Sequence, residues 1–140
     1  MAGEWDLREE AGVRVLKVAR EVDLEGLKSL EEALAPLLSV PKVRLVVDLA
    51  GCPRVTSEML RLFLMVARRL EAQKGGFALA SPGDEVQRFL EISGVARLCQ
   101  VLPSVGEAVA AVRGDDRTEA LAKAVLALLS RAEERGGVQA

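Results

Sequence analysis

Apolar and polar positions along the 140-residue chain follow two periods, that of β-strands and that of α-helices. The apolar run at residues 43–49 shows almost no alternation of apolar and polar positions, which is typical of a strand covered on both faces. Gly51 and Pro53 break this run, and a second apolar run with helical spacing extends from about residue 57 to residue 73. The pattern predicts a central strand, a short loop and a helix, around which the remaining elements pack.

The segments on either side predict an α/β fold with a mixed sheet. Residues 4–8 and 13–19 alternate with period two around a turn, which predicts a hairpin. Leucines spaced by three and four predict a helix over residues 24–38, and Asp23 is placed to cap it. Further strands and helices are predicted at residues 77–80, 85–93, 99–102 and 104–112. We expect a four- to five-stranded mixed sheet with helices mainly on one side.

The predicted helix at residues 57–73 is apolar over more of its circumference than one contact with a sheet can cover. Leu60, Leu64 and Met65 lie outside the arc that faces the sheet. We expect these side chains to be covered by a neighbouring helix of the same chain or by a partner protein. Methionine and leucine beside Arg61 are suitable contacts for a partner.

A further amphipathic helix is predicted at residues 117–135, after a hinge at residues 114–116. Its apolar stripe consists of Leu121, Val125, Leu128, Leu129 and Ala132, backed by Ala124. An isolated helix of this length is marginal in water, so the stripe is expected to dock. It covers Leu64 and Met65 of its own chain, or it pairs with the same helix of a second copy as a homodimer. We therefore expect a domain at residues 1–113 and a helical extension with a tail at residues 114–140.

Composition and charge exclude several classes of function. The net charge is −2 with scattered basic residues, so no binding of nucleic acid is expected. No apolar run approaches the roughly 20 residues that span a bilayer, and we see no signal sequence, so we expect a cytoplasmic protein without membrane insertion. The chain has no His, which rules out a Ser-His-Asp or Cys-His nucleophile. Cys52 and Cys99 lack metal-site spacing and are expected to be two buried thiols. No enzymatic activity, cofactor or metal is expected.

Two hydroxyl residues stand at the start of the predicted second helix. Thr56 or Ser57 can cap this helix by accepting a hydrogen bond from an amide of its first turn. Glu58 suits the positive end of the helix dipole. Capping is the commoner role of such hydroxyls, but one held in this place is also rigid, close to solvent and open to modification.

The stretch from Arg44 to Arg61 resembles the central motif of the STAS domain, a fold shared by bacterial anti-sigma-factor antagonists and the cytoplasmic tails of sulfate transporters. In that family a strand ending in Asp-Leu-Ser-Gly precedes a short loop and then Asp-Ser-Ser-Gly-Leu or Ser-Ser-Ala-Gly-Leu-Arg. The matching segments here are Asp48-Leu49-Ala50-Gly51 and Thr56-Ser57-Glu58-Met59-Leu60-Arg61. Met59 stands where nearly all members have Gly. Residues 89–108 also resemble the family, so the resemblance covers roughly residues 4–112.

The resemblance implies a STAS-like fold and a non-enzymatic regulatory role. Ser57 falls on the family's phosphoacceptor serine, and Thr56 is the second choice. The implied partner is an anti-sigma factor that is also a serine kinase, and phosphorylation of Ser57 would end its binding. The expected partner surface consists of Asp23, Arg54, Thr56, Ser57, Glu58, Leu60, Arg61, Leu64 and Met65.

Two other interpretations stay open at this point. One is a STAS adaptor without phosphorylation, such as a structural subunit of a larger assembly or a transport-associated accessory protein. In that case Leu60, Leu64, Met65 and the C-terminal helix would form the interface, and Ser57 would only cap. The other is binding of a small molecule or nucleotide, for which the sequence offers no phosphate loop.

Overall fold

The computed structural model describes residues 5–113 and 124–130, and its elements follow the predicted order. The strands are β1 (Trp5–Glu10), β2 (Val13–Val18), β3 (Arg44–Asp48), β4 (Gly76–Ala80) and β5 (Gln100–Leu102). The helices are α1 (Leu24–Leu38), α2 (Ser57–Ala72), α3 (Asp84–Ser93) and α4 (Val95–Leu98). Residues 105–113 and 124–130 are also helical.

The five strands form one mixed sheet in the order β1-β2-β3-β4-β5. β1 and β2 form the predicted antiparallel hairpin, and β2, β3, β4 and β5 run parallel to one another. Val47 of β3 lies opposite both Leu16 of β2 and Leu79 of β4. The carboxyl ends of β2, β3 and β4 therefore meet at one edge of the sheet. The loops that lead into α1, α2 and α3 lie side by side there.

Helices cover both faces of the central strand. Val46 and Val47 are both 0% exposed, although their side chains point to opposite faces of the sheet. Val47 belongs to the larger cluster, which α1–α4 complete with side chains such as Leu30 and Phe63. Val46 belongs to the smaller cluster, together with Ala108 from the helix at residues 105–113. The expected mixed α/β fold with helices mainly on one side is confirmed.

Local capping fixes where several helices begin and end. The carboxylate of Asp23 accepts a hydrogen bond from the amide of Gly26 at 2.7 Å, so α1 begins where the sequence predicts. Gly94 ends α3 in the left-handed conformation, with φ of 87°. Ser104 accepts a hydrogen bond from the amide of Glu107 at 3.1 Å, and their side chains are also hydrogen-bonded. The hydroxyl of Ser104 therefore caps the helix at residues 105–113.

The outward side of α2 differs from the prediction at one position. Leu60 is only 5% exposed and belongs to the larger core cluster, so its assignment to a partner surface is wrong. Of the two covers expected for this side of α2, a neighbouring helix of the same chain or a partner, the structure shows the first, because α1 and α4 pack against this helix. Leu64 is half-buried against the same cluster, and Met65 is 50% exposed.

Part of the predicted C-terminal helix is also present. Residues 124–130 are helical, and all seven of them are exposed. The predicted hinge at residues 114–116, and Leu121 and Ala132 of the predicted stripe, lie outside the described residues. The proposed boundary between residues 113 and 114 stays a prediction.

Candidate functional site

The loop between β3 and α2 has a fixed backbone. Asp48, at the end of β3, is 7% exposed, and its carboxylate accepts a hydrogen bond from the amide of Ala50 at 3.0 Å. A Cβ atom on Gly51 would lie 3.0 Å from the backbone of Ala19, so glycine lets this loop pack against the end of the neighbouring strand. Val55, buried at 8% exposure, anchors the end of the loop. The residues that begin α2 are therefore held in one place.

Thr56, and not Ser57, caps α2. The hydroxyl of Thr56 accepts a hydrogen bond from the amide of Met59 at 3.1 Å, and its carbonyl accepts one from the amide of Leu60 at 3.0 Å. Ser57 is the first residue of the helix and is exposed. Among residues 5–113 and 124–130, nothing is hydrogen-bonded to its hydroxyl. Of the two candidate residues, Ser57 presents the free hydroxyl.

The two residues after Ser57 point in opposite directions. Glu58 is exposed in the first turn of α2, where the helix dipole favours a carboxylate. Met59 is 0% exposed and belongs to the core beneath the helix. The unusual methionine of the motif therefore fills the interior and leaves the surface around Ser57 unobstructed.

Two crevices open on either side of Ser57. The first, of about 330 Å³, lies between the β3–α2 loop and α3, and is lined by Arg54, Val55, Glu85, Val86, Arg88, Phe89 and Ile92. The second, of about 270 Å³, lies between α1 and α2, and is lined by Leu27, Glu31, Glu58, Arg61, Leu62 and Met65. Both have apolar side chains with charged residues beside them. The start of α2 thus separates two crevices suited to the side chains of a partner.

Comparison with known protein families shows the family of this chain. The family model described as "Mlab, STAS domain" matches residues 5–103. The chain belongs to the STAS domain family. The matched region contains all five strands and helices α1–α4, and therefore the whole of the site described above.

Similar proteins include anti-sigma factor antagonists. RsfB of Mycobacterium tuberculosis, an anti-sigma-F factor antagonist, is 25% identical over 103 residues, 74% of this chain and 84% of RsfB. An antagonist structure from Mycobacterium paratuberculosis has a TM-score of 0.69 and 24% identity, covering 78% of this chain and 92% of that one. The structure of the unphosphorylated antagonist SpoIIAA has a TM-score of 0.65 and 20% identity, and the match covers 79% of this chain and 96% of SpoIIAA. The structure of phosphorylated SpoIIAA from Bacillus has a TM-score of 0.59 and 18% identity, and the match covers 77% of this chain and 98% of that SpoIIAA chain. At these identities, the structural likeness shows the STAS fold.

The STAS fold brings together most of the predicted partner residues. Asp23, Arg54, Thr56, Ser57 and Glu58 lie at the carboxyl edge of the sheet, because the loops before α1 and α2 are neighbours there. Arg61 and Met65 follow along the exposed side of α2, beside the second crevice, and half-buried Leu64 lies nearby. Of these positions, only Thr56 and Asp23 have an additional role as caps. Leu60 does not reach the surface.

Sequence reasoning missed the contribution of α3. The guanidinium Nε of Arg54 lies 3.4 Å from a carboxylate oxygen of Glu85, and both side chains are exposed. Phe89 and Ile92, the latter 76% exposed, line the first crevice. The arrangement depends on the order of the strands in the sheet, which the periodicity of the sequence does not encode. Since β4 follows β3 in the sheet, the start of α3 lies beside the start of α2.

Neither thiol of this STAS domain is suited to nucleophilic chemistry near neutral pH. Burial raises the pKa of the Cys52 thiol, which lies 2.9 Å from the carbonyl oxygen of Arg54. Burial, with a smaller effect from Glu71, raises the pKa of half-buried Cys99 to about 11. Both thiols are therefore protonated at neutral pH.

In the part of the chain that the structure describes, no group of three His, Cys, Asp or Glu residues could hold a metal. No helix among these same residues has the length and apolarity to cross a membrane.

Capping by Thr56 gives a testable difference in stability between the two hydroxyl residues. We expect Thr56→Ala to lower the free energy of unfolding by roughly 0.5–2 kcal/mol, because the amide of Met59 loses its acceptor. Ser57→Ala should change it by less than about 0.5 kcal/mol, since an exposed hydroxyl is removed at a helical position. Urea unfolding followed by circular dichroism measures both values. A larger loss for Ser57→Ala than for Thr56→Ala would contradict the assignment of the cap.

Proposed function

We propose that this STAS protein is a cytoplasmic anti-sigma factor antagonist that binds an anti-sigma factor with serine kinase activity and is released by phosphorylation of Ser57. The observation that carries the proposal is the separation of roles at the start of α2. Thr56 uses its hydroxyl for the cap, and Ser57 leaves its hydroxyl exposed at the position of the family's phosphoacceptor. The names of similar antagonists, and the existence of a phosphorylated SpoIIAA, support the same assignment.

A phosphate on Ser57 should leave the domain folded. It adds a charge of about −1.5 to −2, which the first turn of a helix tolerates because its free amides and dipole favour an anion. The core beneath is closed by Met59 and Val55, both buried, and neither needs to move. The expected effect of phosphorylation is therefore a change of surface charge rather than a change of fold.

The same charge should oppose binding of the partner. A kinase that closes over Ser57 covers the two flanking crevices and removes water from the start of α2. A phosphate trapped there has to lose its water or face the nucleotide phosphates and acidic groups of the partner. Its neighbour Glu58 adds a further negative charge on the side of this chain. The unmodified form binds and the modified form dissociates.

The direct test is phosphorylation by the purified anti-sigma factor of the same organism in the presence of ATP. We expect one phosphate on the wild-type chain, located at Ser57 by fragmentation, and none on Ser57→Ala. Thr56→Ala, which keeps Ser57, serves as the matched variant and should still accept phosphate. Transfer to Ser57→Ala at an unchanged rate, or stable binding without any transfer, would refute the proposal.

The second candidate function is a STAS adaptor that is not phosphorylated. The observation that favours it is exposed apolar surface that does not include Ser57, at Met65, which is 50% exposed, and on the helix at residues 124–130. An adaptor that uses this surface should lose its partner through Met65→Glu and keep it through Ser57→Asp. The antagonist should show the larger loss with Ser57→Asp.

A further inference from the structure

Helix α3 carries a second apolar stripe beside the one that packs into the core. Val86 and Leu90 are buried and belong to the larger core cluster. Phe89 packs against this cluster only in part, and Ile92, three residues further along the same side of the helix, is 76% exposed. The contact of α3 with the core is therefore made by Val86 and Leu90, and the stripe formed by Phe89 and Ile92 is left open at the surface.

This outer stripe forms one wall of the crevice of about 330 Å³ beside the start of α2. Residues 85, 88, 89 and 92 all line the crevice, and their spacing of three and four places them on one side of α3. Arg54 and buried Val55 contribute the other wall, and they come three and two residues before Ser57. A partner that covers the hydroxyl of Ser57 therefore lies close to this crevice.

The crevice has one positive charge more than it has negative charges. Arg54 pairs with Glu85 at 3.4 Å across its mouth. Arg88 is exposed, and in the part of the chain that the structure describes no carboxylate forms an ion pair with it. The crevice thus combines apolar walls with a guanidinium that is available to a carboxylate from outside the chain.

We propose that this crevice receives an apolar side chain of the anti-sigma factor that has a carboxylate beside it. Ile92 covers the apolar side chain, and Arg88 pairs with the carboxylate. The inference rests on the proposed function and names the chemistry of the partner at this place. Apolar crevices are where single anchor residues contribute most to the affinity of an interface, and a guanidinium matches the geometry of a carboxylate. An acidic surface of the partner is also one that a phosphate on Ser57 would repel.

The affinity of the purified anti-sigma factor for variants of the full chain tests this proposal. We expect Ile92→Ser to raise the dissociation constant by at least about 10-fold, because the anchor loses its apolar contact. Arg88→Glu should also raise it by at least about 10-fold, because two carboxylates are then brought together. Both side chains are exposed, so circular dichroism should show that both variants keep the fold of the wild type.

Leu98→Ser and Arg97→Glu are the matched controls. Leu98 and Arg97 are exposed on α4 and line a different crevice, together with Gly76 and Gln100, the first residues of β4 and β5. They therefore lie at the edge of the sheet opposite Ser57. These two variants repeat the same changes of polarity and charge there, and both should bind within about threefold of the wild type.

The kinetics of phosphorylation provide a second readout. Ser57 is not among the residues that line the crevice, so the anchor contributes to binding and not to the transfer of phosphate. Ile92→Ser should therefore raise the KM for this chain and leave kcat within about twofold of the wild type.

The outcomes separate this inference from the proposed function. If Ile92→Ser and Arg88→Glu bind like the wild type while Ser57 is still phosphorylated, the inference is overturned and the proposed function stands. Equal losses in these variants and in the two controls would also overturn the inference, because a general change of charge or polarity would then account for them. A wild-type chain that does not bind the anti-sigma factor would overturn the proposed function and this inference together.

Discussion

Replacing Ser57 by aspartate is expected to weaken binding of the anti-sigma factor by at least about 100-fold, whereas Ser57→Ala leaves the affinity within about threefold of the wild type. The aspartate puts a fixed negative charge beside Glu58, at a surface that the partner has to dehydrate. Like charges brought together at an interface cost several kcal/mol, and about 2.7 kcal/mol corresponds to 100-fold. Alanine removes only an exposed hydroxyl. Titration calorimetry with the purified anti-sigma factor measures both affinities.

The matched control for this charge is Ser39→Asp. Ser39 is exposed and follows the end of α1, before β3 begins, so it lies at the edge of the sheet opposite Ser57. A variant with the same added charge at that edge should bind like the wild type. Equal losses for Ser39→Asp and Ser57→Asp would show that net charge, rather than position, controls the affinity. Equal binding by Ser57→Ala and Ser57→Asp would remove the switch altogether.

Replacing Met59 by glycine, the residue that most STAS domains have at this place in the motif, should destabilise this chain. Met59 is 0% exposed within the larger core cluster, so truncation leaves a cavity that its neighbours fill only in part. We expect Met59→Ala to lower the free energy of unfolding by about 2–5 kcal/mol. Met59→Gly should lose about 1 kcal/mol more, because glycine disfavours the helix. Urea unfolding of the three proteins gives these differences directly.

Met65 provides the control within the same helix. Its side chain is 50% exposed, so Met65→Ala removes much less buried surface than Met59→Ala. We expect Met65→Ala to change the free energy of unfolding by less than about 1 kcal/mol. If Met59→Gly proved as stable as the wild type, the placement of Met59 in the core would be wrong. Its side chain would then have to be counted among the groups that surround Ser57.

The sequence pattern predicts the fold well because each element carries its own signal. The apolar run at residues 43–49, which lacks regular alternation, predicts a strand in the middle of the sheet, and β3 is the third of five strands. Asp23 and Ser104 mark helix starts through side chains that bond to nearby amides. Such contacts join residues three positions apart, so the local sequence is enough to predict them. Among residues 5–113, the boundaries of the predicted strands and helices shift by at most two residues, whereas helix α4 was not predicted.

The site is less predictable because it depends on contacts between distant segments. Thr56 and Ser57 have the same capping chemistry, and only the backbone geometry assigns the cap to Thr56. Leu60 was misassigned because its burial depends on the helices that pack beside α2. The contact between Arg54 and Glu85 depends on the order of two parallel strands, which periodicity does not encode. Local chemistry predicts the residues of the motif, and the tertiary fold decides their roles.

The most direct test of the central claim is the mass of the protein recovered from its native cells, with fragmentation across residues 54–61 to locate any added group. The assignment of Ser57 as the switch predicts a fraction of the protein heavier by one phosphate, carried by Ser57 and varying between growth and stress. Phosphate on Thr56 would contradict the assignment of the free hydroxyl. An unmodified chain under every condition would contradict the switch and favour the adaptor.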